Sequence, residues 1–177
     1  MEDISVEMIE LENSDELIDE IMKRHGNEIL KLVFSYVNNK TVAEDLTQDI
    51  FVKCYRSIHT YNRKAKFRTW LWRIAINHCK DYLKSWYNKN VVFIENTASS
   101  IWTEKDLVEK VVIQKDDDIH LVNTVMDLPI KYREVIYLYY FEGLTIKEIS
   151  LLLDVKGNTV KSRMKRAKEI LKERLEE

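Results

Sequence analysis

The chain has 177 residues, which at roughly 100 to 200 residues per domain makes one ordinary domain or two small ones and excludes a large multidomain enzyme. Three Gly and one Pro are too few turn-formers for a sandwich or barrel of many short strands, while 33% charged residues suit solvated helix faces, so the expected class is all-α. The net charge of −2 conceals segregation: residues 1–52 carry 4 basic and 13 acidic residues, 53–84 carry 9 and 1, 89–126 carry 4 and 7, and 156–174 carry 8 and 2.

In chain order, Met1–Asn13 lacks a basic-then-apolar leader, and no apolar run approaches the ~18 residues of a membrane span. A soluble, cytoplasmic protein is expected. Leu17, Ile18, Ile21, Met22, Ile29, Leu30, Leu32 and Val33 recur at helical spacing and predict a first helix over Asp15–Asn38, bent near Gly26 and ended by the breaker Asn38-Asn39. Thr41 with Glu44 reads as a capping box opening a second helix over about 42–58, with Leu46, Ile50, Cys54 and Ile58 as its apolar stripe. A basic loop, His59–Lys66, precedes a third helix over Phe67–Trp86. Residues 88–118 lack a sustained period and read as a flexible linker, with one short helix around Glu104–Lys115.

Beyond the linker, Asp118–Met126 and Pro129–Phe141 read as helices, the second with Pro at its start and Gly143 past its end. Thr145 with Glu148 gives another capping box. Helix Thr145–Leu152, a break through Asp154 and Gly157, and helix Asn158–Leu175 then make a helix-turn-helix, whose second member can enter the major groove. The organisation expected is an N-terminal extension (1–14), a first helical domain (15–87), a linker (88–117) and a second helical domain (118–177).

Several functions drop out. Gly26, Gly143 and Gly157 are too far apart for a Gly-rich phosphate loop. Cys54 and Cys79 lack redox or zinc spacing and read as reduced thiols. His25, His59, His78 and His120 are scattered, and no nucleophile elbow or metal-ligand set is present. Nothing argues for catalysis, a metal, a cofactor or a small-molecule substrate.

Three surfaces carry the remaining signal. On a wheel at about 100° per residue, Lys66, Thr69, Arg73, Asn77, Lys80 and Lys84 form one stripe on the third helix, a basic face with an amide at its centre. Asn can pair with a base edge while Lys and Arg neutralise phosphates, so this face fits a helix lying along DNA; a merely solvated face has the same pattern. The loop before it sets Tyr61 among Asn62, Arg63 and Lys64, as a pocket for an unstacked base needs, although Tyr61 could equally pack on the core. Phe67 and Trp70 are expected to pack. In the last helix Val160, Met164, Ala167 and Leu171 face inward, turning Asn158, Lys161, Ser162, Lys165 and Arg166 outward, with Thr159 and Arg163 at the margins. The second helix lines up Asp45, Gln48, Asp49 and Val52, a face that repels DNA and suits either a protein partner or solvent.

The run Ala43-Glu44-Asp45-Leu46-Thr47-Gln48-Asp49-Ile50-Phe51, followed by Phe67-Arg68-Thr69-Trp70-Leu71-Trp72-Arg73-Ile74-Ala75-Ile76-Asn77, resembles region 2 of bacterial extracytoplasmic-function (ECF) sigma factors, of the sigma-70 family. Leu128-Pro129, Tyr132-Arg133-Glu134-Val135, Phe141-Glu142-Gly143-Leu144-Thr145, Glu148-Ile149 and Thr159-Val160-Lys161-Ser162-Arg163 resemble region 4. The resemblance covers about residues 15–86 and 120–175. It implies a subunit that gives core RNA polymerase its promoter specificity and has no catalytic site of its own. By the family's pattern Asp45, Gln48, Asp49, Val52 and Tyr55 meet the β′ clamp helices. Tyr61, Asn62, Arg63, Lys66, Thr69, Arg73, Asn77, Lys80 and Lys84 read and melt the −10 element. Asn158, Thr159, Lys161, Ser162, Arg163, Lys165 and Arg166 read the −35 element while region 4 sits on the β flap. The resemblance further implies an anti-sigma factor. Two positions depart from the pattern: Asp154 stands where Gly is common in the turn, predicting a left-handed Asp, and Lys156 stands where an acid is common. The competing reading is an autonomous dimeric helix-turn-helix regulator, which binds a two-fold site without polymerase. No dimerisation heptad is evident.

Overall fold

The computed structural model describes residues 14–90 and 116–176. Contacts divide the chain into two units, Met1–Ser100 and Ile101–Glu177. Among the described residues there are seven α-helices and no strand, the all-α, two-part architecture expected, and no helix is long and apolar enough to cross a membrane. The short helix expected at 104–115 and most of the N-terminal extension lie outside the described residues.

The first unit is built on α1 (Ser14–Val37), α2 (Lys40–Ser57), a 3₁₀ turn (Ile58–Thr60) and α3 (Phe67–Asn90), each helix packing on the other two. α1 runs uninterrupted through Gly26, and its Leu17, Ile21, Ile29, Leu32 and Val33 are buried as their spacing predicts. Met22, read from the same periodicity as core, is exposed. The α1–α2 break works differently from the expected Thr41–Glu44 capping box. Asn38 takes a left-handed conformation (φ 50°), and its N–H donates to the Phe34 carbonyl at 2.9 Å to end α1. Asn39 then becomes the cap of α2, its Oδ1 accepting from the Val42 N–H at 3.0 Å. Two successive Asn residues end one helix and begin the next because each tolerates a different non-helical conformation. Thr41 is left two residues past the cap, inside the helix.

α3 brings Phe67, Leu71, Trp72, Ala75, Ile76 and Cys79 into the core, against Ala43, Leu46, Ile50, Phe51 and Cys54 of α2. Burial pushes the thiols of Cys54 and Cys79 up to about 12, which makes both inert toward oxidation and metals at neutral pH. A polar contact fixes α3 against α1: Arg68 Nε donates to Glu28 Oε1, and the Arg68 guanidinium lies 4.4 Å over the Trp72 ring. Burial alone pushes the Glu28 carboxyl up, but hydrogen bonds from His25 and Arg68 and their charges outweigh it and hold the carboxyl below its ordinary range. A carboxyl whose folded pKa is depressed adds stability above its unfolded pKa and loses it as pH falls through the folded value. Glu28→Gln is therefore expected to lower the melting temperature of the first unit at pH 7. The gap to the parent should close below about pH 4, the ordinary carboxylate range. A gap independent of pH would show that the charge of Glu28 plays no part.

The second unit contains α4 (Asp116–Met126), α5 (Ile130–Ile136), α6 (Ile146–Leu153) and α7 (Gly157–Leu175). Val125, Leu128, Ile136 and Ala167 form a core cluster against which Tyr132, Ile170 and Leu171 pack. The helix expected over Pro129–Phe141 is continuous but changes type: α5 passes directly into a π-helical turn, Tyr137–Phe141, closed by the Glu142 N–H on the Tyr137 carbonyl at 3.2 Å. Only Leu138 of Tyr-Leu-Tyr-Tyr-Phe is buried, since one helical face cannot bury five adjacent large residues. Gly143 follows at φ +66°, the conformation in which Gly is least strained.

The second capping box is formed as expected. Thr145 Oγ1 accepts from the Glu148 N–H, and Glu148 Oε2 accepts from the Thr145 N–H at 2.8 Å. The turn into α7 uses Asp154 in the left-handed conformation (φ 54°, ψ 48°), as its place in the pattern predicted. Ser150 closes that turn from both sides, its carbonyl accepting from the Val155 N–H at 3.1 Å and its hydroxyl donating to the Val155 carbonyl at 2.6 Å.

Candidate nucleic-acid and protein interfaces

The stripe on α3 is one face in three dimensions. Lys66, Arg73, Asn77 and Lys84 are exposed, and Thr69 and Lys80 are half-buried at its edge, opposite the side that carries Phe67, Leu71, Ala75 and Cys79 into the core. A rigid helix anchored along one side presents the Asn77 amide between cations, the arrangement needed for base readout flanked by phosphate neutralisation. Lys66 also accepts the helix's first backbone bond, from the Trp70 N–H to its carbonyl at 3.2 Å, so its side chain projects where the loop ends and the helix begins.

In that loop Tyr61 is half-buried and packs on the rim of the core. Its ring packs edge-on against Phe67 and tilted against Trp70, each at 5.4 Å, and its hydroxyl donates to the Ala65 carbonyl at 2.8 Å. The Tyr61 ring therefore forms a wall, with Asn62, Arg63 and Lys64 exposed above it. Asn62 Oδ1 accepts from the Lys64 N–H at 3.1 Å, and Arg63 takes a left-handed conformation (φ 62°), holding the loop in a tight bend. Trp72, more than Trp70, is the aromatic core of this region, 1% exposed against a half-buried Trp70. Aromatic density does not distinguish the two; their burial in the folded bundle does.

On α2 the side chains of Asp45, Gln48, Asp49, Val52 and Tyr55 are all exposed, one continuous face. His78 of α3 reaches toward it. His78 Nδ1 lies 2.7 Å from Lys53 Nζ, and its Nε2 lies 3.7 Å from Asp49 Oδ2. Burial, then the Lys53 charge, lowers the His78 pKa against the opposing pull of Asp49. A neutral ring accepts from Lys53 at Nδ1 and carries its proton on Nε2, too far from Asp49 for a hydrogen bond. Asp49 thus keeps its charge available to a partner. Val52 and Tyr55, about half exposed, add apolar area beside the carboxylates, which a merely solvated acidic face does not need.

On α7, Val160, Met164 and Ala167 are buried and Leu171 is half-buried, so Asn158, Lys161, Ser162, Lys165 and Arg166 point outward. Thr159 and Arg163 are half-buried at the margins. Arg163 has a partner that pattern alone did not reveal: its Nη1 donates to Glu134 Oε1 at 2.8 Å, and the Glu134 side chain is 3% exposed. Arg133, also buried, donates to the Met126 carbonyl. Arg166 is exposed and paired with Glu169 at 3.0 Å on its own helix, a contact that a phosphate can displace.

Two family models match, sigma-70 region 2 over residues 21–87 and sigma-70 region 4 over residues 121–171. The ECF RNA polymerase sigma factor SigM of Bacillus subtilis is 31% identical over 155 residues, which span 88% of this chain and 93% of that protein. The chain belongs to the ECF RNA polymerase sigma factors. SigW of the same organism is 30% identical over 88% of this chain and 87% of its own length. Two solved structures share the fold. The sigma factor RpoE of Bartonella quintana, in complex with the anti-sigma factor NepR, has a TM-score of 0.71 at 18% identity, covering 89% of this chain and 96% of that one. CnrH, in complex with the cytosolic domain of CnrY, has a TM-score of 0.65 at 21% identity, covering 96% and 93%. As a sigma factor the chain binds core RNA polymerase and promoter DNA through regions 2 and 4 and directs transcription initiation. The α3 stripe and the α2 face fall in the region 2 match, and the outward face of α7 falls in the region 4 match.

Proposed function

We propose a division of labour among the three faces of this sigma factor. Residues 15–87 act as region 2 and 118–177 as region 4, with 88–117 as the connection. α3 lies along the −10 element, with Asn77 reading a base edge and Lys66, Arg73, Lys80 and Lys84 on phosphates. The loop Tyr61–Lys64 holds a non-template base out of the stack. Capturing that base costs a few kcal/mol of unstacking, which contact with the aromatic wall and the loop's polar groups offsets. The outward face of α7 enters the −35 major groove. Asp45, Gln48, Asp49, Val52 and Tyr55 of α2 dock on the β′ clamp helices, region 4 sits on the β flap, and an anti-sigma factor covers the polymerase-binding surfaces. The protein works in the cytoplasm, and the polymerase, not this chain, supplies the chemistry.

The observation that carries this reading is the sign separation within one bundle. An exposed basic and amide stripe on α3 and an exposed acidic and apolar face on α2 share a single core. One body can then offer one surface to nucleic acid and another to a protein.

The test is run-off transcription with bacterial core polymerase on a pool of promoters from the source genome. Specific initiation that depends on both the −10 and −35 positions is expected. Failure to initiate, with tight binding of the protein alone to a palindromic duplex, would favour an autonomous dimeric regulator instead.

A further inference from the structure

α3 is longer than its periodicity predicted, and the additional turn carries an unassigned aromatic. Among the described side chains of the helix the last buried one is Cys79, while Lys84, Ser85, Trp86 and Tyr87 are all exposed, so this stretch of α3 stands clear of the bundle core. Tyr87 is 61% exposed, the most of any large apolar or aromatic side chain among the described residues. It lies seven positions, about two turns, beyond Lys80 and three beyond Lys84, which puts it in line with Thr69 and Lys80 on the same stripe. A core-facing aromatic at a helix end falls on the apolar side. Tyr87 falls at the edge of the basic stripe, about 20° from the line of the buried Ile76, and is exposed because it lies beyond the reach of the core.

We propose that Tyr87 is a further DNA-contacting residue, which packs its ring on a deoxyribose and donates its hydroxyl to a phosphate of the duplex just upstream of the −10 element. The inference rests on the reading of α3 as the −10 helix. From Thr69 to Tyr87 the helix rises about 27 Å, or roughly 8 base-pair steps of B-DNA. The loop that takes the melted strand lies at the N-terminal end of α3, so the C-terminal end meets DNA that is still paired. Lys80 and Lys84 bring the negative backbone to that end. Tyrosine, with an apolar body and a hydrogen-bonding tip, matches the alternation of sugar and phosphate there. A backbone contact carries no base information, so it holds the helix in register on the duplex without choosing sequence.

The test uses the full chain assembled with core polymerase. Tyr87→Ala is expected to shorten the lifetime of promoter complexes about fivefold, the scale of one hydrogen bond and its packing. Tyr87→Phe should lie between the variant and the parent. The loss should be the same for any base sequence in the spacer, and assembly with core polymerase should be unchanged. Because tyrosine releases no counterion, the salt dependence should keep its slope, whereas Lys84→Ala should reduce that slope by about 1. A photoreactive amino acid at position 87 should crosslink to the duplex upstream of the −10 element.

Crosslinking to a polymerase subunit instead, or a Tyr87→Ala complex as long-lived as the parent on promoters where the parent initiates, overturns this inference alone. A parent protein that fails to initiate with core polymerase overturns the −10 reading along with it.

Discussion

Asn77→Ala is expected to lower discrimination between the preferred −10 sequence and single-base variants by about 5- to 150-fold, the range spanned by one paired base contact of 1–3 kcal/mol. Binding to core polymerase should stay as it is, because Asn77 is an exposed, uncharged residue of the α3 stripe and not one of the α2 face. Asp49→Lys should do the reverse. It replaces an exposed carboxylate with a cation on that face and brings two positive groups, Lys53 and the new lysine, around His78. Competition for core polymerase should fall at least tenfold, with promoter preference intact in whatever holoenzyme forms. The two measurements are a polymerase-binding competition and run-off transcription on a −10 variant panel. If both variants lose equally in both assays, the assignment of separate faces is wrong.

Arg163→Ala is expected to act through the fold before it acts on DNA. Arg163 reaches inward to a carboxylate that is 3% exposed, so its removal leaves Glu134 buried without that partner. Losing one hydrogen bond to a buried charged group costs about 1.5–3 kcal/mol. For a helical unit of this size, that lowers the melting temperature of the second unit by about 6 °C or more. Loss of −35 dependence should accompany the unfolding and recover on cooling. Lys165→Ala and Arg166→Ala, on the exposed side of α7, should leave melting unchanged and weaken −35 dependence at every temperature. If Arg163→Ala melts like the parent yet abolishes −35 dependence, Arg163 is a groove-reading residue and its contact with Glu134 is secondary.

The contrast between Arg163 and Arg166 shows where sequence reading stops. Both are basic, both lie on the recognition helix, and the wheel placed Arg163 at the margin of the outward face. Its role depends on Glu134, 29 positions earlier on another helix, and no local period carries that information. Tyr61 is a similar case. The composition of its loop suited either a base pocket or core packing, and the contacts with Phe67 and Trp70 make its ring a fixed wall. Met22 is a related case: a broad apolar stripe marks a helix side without saying which residue meets a neighbouring helix.

Periodicity, caps and charge order by themselves determined the all-α class, the placing of the helices, the Thr145–Glu148 capping box, the left-handed Asp154 and the family. These features depend on residues within a few positions of one another, or on two motif sets in fixed order, and a linear chain states both directly. Tertiary structure alone decided the hand-over from Asn38 to Asn39, the π turn that exposes Tyr139, Tyr140 and Phe141, the Arg163–Glu134 pair, and the free end of α3 where Tyr87 stands. Each of these depends on which helix packs where and on how far the core extends along it. Those are contacts between distant residues, whose energies outweigh local preference by filling volume and satisfying buried charge.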